Sequence, residues 1–352
     1  MSRFFSARLS GLQTYVPGEQ PQDMQYIKLN TNESPYPPSD GVIAAVDAQQ
    51  VRDLRLYPDP EGRILTQKLA DLYGVKPENI FLSNGSDEVL SFAFMAFCDG
   101  SHGAVYPDIT YGFYPVFSAL YGIDGKQIPL RPDFLVDIEA YTHAGRMIVL
   151  ANPNAPTGLL LDVDQIEYLV RHNRDSVVVI DEAYIDFGGQ SCYPLIQKYD
   201  NLLVVRTYSK SRCMAGARLG FAFGSRELIE DLTRIKFSTN PYNINRLTLV
   251  AGAAAVDDDA YYQQHCRQIC QTRQKTADRL AELGFEQTAS QANFLFARHP
   301  SVSGELLYRQ LKENGILVRR FDRERISEFL RITIGTPEQM EQFCTVISRL
   351  IP

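Results

Sequence analysis

From about residue 75 to 225, short apolar and β-branched runs alternate with segments of helical spacing. The runs are Ile80-Phe81-Leu82, Ala104-Val105-Tyr106, Met147 to Leu150, Val177 to Ile180, Leu202 to Val205 and Phe221 to Phe223. The strongest are apolar at every position rather than every second one, the mark of strands covered on both faces. With helical segments between most of them, the pattern predicts an α/β domain around a mostly parallel sheet. Ligands of such sheets sit beyond the carboxyl ends of the strands, so the residues that follow each run matter most.

Beyond residue 225 the pattern turns helical: ELIEDLTRIKF, NRLTLVAGAAAV, and a long polar segment from Asp257 to Leu283, closed by Gly284, that reads as a connecting helix. A strand (Asn293 to Ala297), a helix (Ser303 to Asn314), strands at Ile316 to Val318 and Phe329 to Ile334, and a helix from Pro337 follow, which suits a smaller α+β domain. The first forty residues are rich in Pro and Asn (KLNTNESPYPPSD) and read as an extended arm rather than a core element. The expected division is an arm over 1–40, a large domain over 41–256 and a small C-terminal domain over 257–352.

Composition narrows the partners. A net charge of -7 with 22% charged residues leaves no electrostatic footprint for nucleic acid, so small molecules are the expected ligands. The apolar stretch VLSFAFMAF is far short of the roughly 20 residues that span a bilayer, and MSRFFSARLS lacks the h-region of a signal peptide; a cytoplasmic protein with no membrane partner is expected. Six scattered cysteines form no CxxC pair. His265, Cys266 and Cys270 come nearest to a ligand cluster but offer only one His and have no acidic second cluster, so no metal is expected.

Several strand ends carry chemistry. In RTYSKSRCMAGARLG, Lys210 follows Leu202 to Val205 and is either a snorkelling surface residue or one held for its nitrogen. In VVVIDEAYIDF, Asp181 ends a buried run with Tyr184 close behind; a helix N-cap and a carboxylate beneath a heteroaromatic nitrogen are equal readings. In IFLSNGSDEVLSF, Gly85 permits a tight turn, and Ser86 and Asp87 open a helix whose free N–H groups suit a phosphate, although Ser86 also fits a plain N-cap. Ser209 and Arg218 offer a second set of phosphate donors. Tyr111, in YPDITYGFY, is a core aromatic or a lid on a planar cofactor. The NPNAPTG turn offers amides to a ring hydroxyl or a carboxylate. An amine, a buried carboxylate, a phosphate cradle and an aromatic lid at the strand ends of one sheet are what pyridoxal phosphate requires.

The segments KLNTNESPYPPS, LYPDPEG, SNGSDE, NPNAPTG, VIDEAYIDF, TYSKSRCMAGARLGF, GILVRRF and FLRITIGTPEQ, in this order, span nearly the whole chain. Together they resemble the class I/II aminotransferases of fold type I, and within that family the histidinol-phosphate branch most closely. The resemblance implies a large, mostly parallel-sheet domain and a smaller α+β C-terminal domain. It implies pyridoxal 5'-phosphate as cofactor, with Lys210 as the Schiff-base lysine, Asp181 at the pyridinium nitrogen, Tyr184 on the phenolic oxygen and Tyr111 stacked on the ring. Ser86 and Asp87, through backbone N–H groups, and Ser209 and Arg218 would surround the phosphate. Tyr57, in LYPDPEG, would reach the phosphate of the other subunit of a homodimer.

For substrates the resemblance implies glutamate/2-oxoglutarate and imidazole-acetol phosphate. Arg331 would clamp the substrate anion, with Arg319 and Tyr15 as further contacts and Arg320 as a competitor for the place of Arg319. One position departs from the family pattern: Ala155 stands where an asparagine usually bonds the phenolic oxygen, so Asn154 is the candidate stand-in unless Tyr184 acts alone. An aromatic amino acid aminotransferase and a threonine-phosphate decarboxylase share these motifs. A non-catalytic aminotransferase-like ligand-binding module is the reading of a different class, and it calls for an appended DNA-binding domain of which the sequence has no sign.

Overall fold

In the computed structural model, which describes residues 2–352, all six apolar runs lie in one seven-stranded sheet as Ile80–Ser83, Ala104–Pro107, Met147–Ala151, Val178–Asp181, Leu202–Thr207 and Gly220–Phe223. The seventh strand, Gly125–Ile128, is a polar edge strand whose sequence GKQI carries no apolar signal. Across the sheet the order is 80–83, 220–223, 202–207, 178–181, 147–151, 104–107, 125–128. Neighbours run parallel except that 220–223 is antiparallel to both of its partners.

The unbroken apolar runs follow from burial on two sides. Leu202 and Val204 point into one hydrophobic core, while Leu203 and Val205 point into the other. Because side chains alternate across a strand, no position in such a run can be polar without burying an unpaired group. The polar side chains that break this rule in the two central strands, Asp181, Arg206 and Thr207, sit at the strand ends.

The 24-residue helix Asp259–Glu282 leads into the small domain. There an antiparallel sheet of order 319–320, 330–333, 294–298, 286–287 packs around a third core. The extended-arm expectation needs correction from Ile27 onward. Ile27–Lys28 pairs in parallel with Ile316–Leu317, Leu29 is buried in the small-domain core, and its carbonyl accepts from the Thr333 amide at 2.9 Å. Such pairing across almost 290 residues leaves no local periodicity to read, so the Pro- and Asn-rich context dominated.

Candidate active site

A cavity of about 760 Å³ opens at the carboxyl ends of the central strands. Eleven of the thirteen candidate residues line it: Lys210, Asp181, Tyr184, Tyr111, Ser86, Asp87, Ser209, Arg218, Arg331, Arg319 and Tyr15. Residues from the arm, the large sheet and the small domain meet there.

Lys210 is no snorkelling surface residue. Its Nζ donates to the Thr31 carbonyl at 3.2 Å and lies 5.8 Å from the centre of the Tyr184 ring. Among the described residues it forms no ion pair, and burial pushes its amine down to about 8. Asp181, the last residue of its strand, accepts from the Tyr114 hydroxyl at 3.1 Å and the Ala183 amide at 3.3 Å. The N-cap reading fails, because the next turn, Ile185–Phe187, is capped at Tyr184. Burial raises the Asp181 carboxyl to about 7, against the Tyr114 hydrogen bond. No cation pairs with it among the described residues.

At the other end of the cavity, Gly85 takes φ +78 just before the helix Ser86–Phe97. This left-handed backbone favours glycine, and a Cβ there would also fall 2.7 Å from Arg218 Nη2 and push the guanidinium away from the helix start. Ser86 is the first helical residue and not the cap. Arg218 donates to Ser209 Oγ and to Asp87 Oδ2, each at 3.3 Å, and the Tyr111 hydroxyl donates to Asp87 Oδ1 at 2.7 Å. The Asp87 carboxylate thus ties the Tyr111 ring to the arginine, beyond its expected part as an N–H donor.

Arg331 is held by two rings, Phe294 and Phe321, each centred 5.5 Å from its guanidinium carbon. One Nη donates to the Asn30 carbonyl at 2.9 Å, but its buried Nε has no partner. Burial lowers its pKa, and no acid pairs with it among the described residues. Arg319 turns to the arm, donating to the carbonyls of Val16 at 3.0 Å and Pro17 at 3.1 Å. This places Tyr15 over the cavity, stacked on Phe113 at 4.3 Å. Arg320 points elsewhere, to the Ser327 carbonyl and toward Asp322.

Two candidates are not brought together with the rest. Asn154 faces away from the cavity: its Oδ1 accepts from Thr110, and its Nδ2 donates to the Ile109 carbonyl and Thr157 Oγ1. The expected Asn154 contact with a bound ring is therefore not supported, since its amide is fully engaged in closing the loop. Ala155 lines the cavity instead, packed with Ala292, Phe294 and Tyr184. Tyr57 is 78% exposed, stacked on Tyr242, and outside its own chain's cavity.

Sequence reasoning missed Asn32, whose Nδ2 donates to the Tyr184 hydroxyl at 3.0 Å, and Tyr114 beneath Asp181. Nothing marked either except, for Asn32, the Asn-rich stretch itself. Among the described residues, no three His, Cys, Asp or Glu side chains gather as metal ligands, and no helix is long and apolar enough to cross a membrane.

Residues 24–347 match the family model for aminotransferase class I and II. The chain is 49% identical over 352 residues to the histidinol-phosphate aminotransferase of Brachyspira hyodysenteriae, covering 100% of this chain and 99% of that protein. It is 47% identical over 348 residues to that of Pseudomonas putida, covering 99% and 100%. The crystal structure of histidinol-phosphate aminotransferase from Sinorhizobium meliloti, in complex with pyridoxal-5'-phosphate, matches the fold with a TM-score of 0.84 at 24% identity, over 93% of this chain and 92% of that one.

Proposed function

The chain belongs to the class I and II aminotransferases, and from that premise we propose that it passes the amino group of glutamate to imidazole-acetol phosphate with pyridoxal 5'-phosphate as cofactor. One observation carries the reading: a single cavity holds a half-buried amine, a buried carboxyl and a half-buried guanidinium, none of them paired with an opposite charge among the described residues. Unpaired buried charge is costly, so each group is a site waiting for its partner.

The residues fit the cofactor. Asp181 lacks a cation, and a protonated ring nitrogen is one; the Ser86 helix start, Ser209 and Arg218 form a cradle for a phosphate dianion. When bound, pyridoxal phosphate supplies an aldehyde that carries the amino group and a ring that draws electrons from the substrate Cα.

Lys210 would tether the cofactor and, once released, take the proton from the substrate Cα. With its amine near 8, a useful fraction is neutral close to neutral pH, which a lysine at its ordinary 10.5 lacks. Asp181 would hold a proton on the ring nitrogen, Tyr111 would cover the ring, and Tyr184 would donate to its phenolic oxygen. Arg331 would grip the substrate's anion: histidinol phosphate bears its phosphate on the carbon that replaces an amino acid's carboxylate, so one buried fork serves both. Arg319 and Tyr15 would close the cavity from the arm side. Tyr57 would serve the partner subunit of a homodimer, which its exposure and that of Ile43, Leu54 and Ile64 in the same stretch support.

A half-reaction panel tests the substrates. The cofactor-loaded protein is aminated with glutamate, then mixed separately with imidazole-acetol phosphate, phenylpyruvate and 2-oxoglutarate while the visible band is followed. Return of the band with imidazole-acetol phosphate and 2-oxoglutarate is expected. Failure with the imidazole compound alone would remove the substrate assignment and leave transamination standing.

A further inference from the structure

Ala155 presents a methyl group to the cavity beside the Tyr184 ring, and the neighbouring Asn154 amide is engaged elsewhere. The NPNAPTG loop therefore brings no side-chain amide to the region of the Tyr184 hydroxyl. One does arrive from the opposite side of the chain: Asn32 Nδ2, 3.0 Å from that hydroxyl and 152 residues away in sequence. We infer that Asn32 is a positioning residue for Tyr184, whose amide fixes the Tyr184 hydroxyl as a proton donor into the cavity in a protein that has Ala155 in the loop. The inference rests on the reading that Tyr184 faces the cofactor's phenolic oxygen.

Hydrogen-bond accounting sets the direction of each proton. Thr333 Oγ1 accepts the Asn32 backbone N–H at 2.9 Å and donates its own proton to Asn32 Oδ1, also at 2.9 Å. The amide oxygen faces Thr333 and the NH₂ group faces Tyr184; the reverse orientation would leave the Thr333 hydroxyl proton without Asn32 Oδ1 as its acceptor and would make Tyr184 the donor to Asn32. The Asn32 carbonyl in turn accepts from Asn293 Nδ2 at 3.0 Å. Every polar group of Asn32 is engaged, and the residue is 1% exposed.

The backbone at Asn32 has φ +58, a left-handed conformation that asparagine tolerates better than most residues. This geometry turns the arm so that main chain and side chain bridge Thr333 of the small domain and Tyr184 of the large one. A phenol that accepts from Asn32 keeps its own proton for another acceptor, and Tyr184 lines the cavity. Loss of the amide would free the hydroxyl to rotate and weaken its donation into the site.

The test is a pH titration of the visible band of the cofactor-loaded protein, a readout independent of turnover. Tyr184→Phe is expected to raise the apparent pKa of the band. Asn32→Ala is expected to raise it in the same direction by about 0.5–1 pH unit, as for the loss of one neutral hydrogen bond, and to add nothing in the Tyr184→Phe background. Thr333→Val, which keeps Asn32 but releases its amide to turn over, is expected to raise it as well, whereas Thr333→Ser leaves it in place; this pair carries the test if Asn32→Ala does not fold. A band unmoved by Tyr184→Phe would overturn the placement of Tyr184 and the inference with it. A shift with Tyr184→Phe but none with Asn32→Ala or Thr333→Val would overturn the Asn32 inference alone. So would an equal Asn32→Ala shift in both backgrounds.

Discussion

Lys210 directs its Nζ at the main-chain carbonyl of Thr31, 3.2 Å away and 179 residues earlier in the chain. That carbonyl is an acceptor without net charge, so it compensates little for burying an ammonium group. Burial accordingly brings the amine from 10.5 down to about 8. Since the folded pKa lies below the unfolded one, the unfolded chain binds more protons between these values, and the cofactor-free protein gains stability as pH rises from about 8 to 10.5. Lys210→Met removes the penalty. It is expected to stabilise the cofactor-free protein at pH 7 by on the order of 3 kcal/mol, with the difference from wild type fading toward pH 10.5. Urea unfolding at several pH values checks this, and a difference that stays constant with pH would contradict it.

Arg331 predicts a shared loss. Arg331→Lys keeps the charge but gives up the planar fork, so kcat/KM is expected to fall by about 100-fold or more. Measured one half-reaction at a time, the loss should be similar for glutamate and for imidazole-acetol phosphate. A loss confined to one of them would mean that the two anions are held at different places.

Arg319 holds the arm through the Val16 and Pro17 carbonyls, so its removal should act on closure rather than on chemistry. Arg319→Ala is expected to raise KM by about 5-fold, the equivalent of roughly 1 kcal/mol, with little change in kcat. Limited proteolysis should cut residues 11–20 faster in this variant. Unchanged cleavage together with a fallen kcat would instead point to direct contact with the reacting groups.

Arg206 lies buried between Glu182 and Asp186, 3.6 Å and 2.5 Å from their carboxylates. Burial drives both acids upward. At Asp186 the nearby guanidinium outweighs that effect and holds the carboxyl below its ordinary range, while Glu182 stays raised. Arg206→Met would strand both carboxylates and is expected to cost about 3–5 kcal/mol in denaturant unfolding. The sign with pH is opposite to that of Lys210. Stranded acids have folded pKa values above their unfolded ones, so the loss should be smaller at pH 5 than at pH 8.

The sequence by itself determined the large sheet and the residues at its strand ends. A strand buried on both faces has to be apolar at every position, so the end of each run is written in composition: Asp181 closes one run directly, and Lys210 follows another a few residues on, after Arg206. Edge strand Gly125–Ile128 escaped because exposure removes that demand. Only the tertiary structure decided that the arm segment 27–29 packs onto the strand 316–317 and its core, that Asn154 turns inward while Ala155 faces the cavity, and that Asn32 reaches Tyr184. Each of these depends on a hydrogen bond or a strand pairing between segments far apart in the chain, or on which way a side chain turns within a loop. Such contacts are set by how the elements pack and leave no periodic trace in the residues that make them.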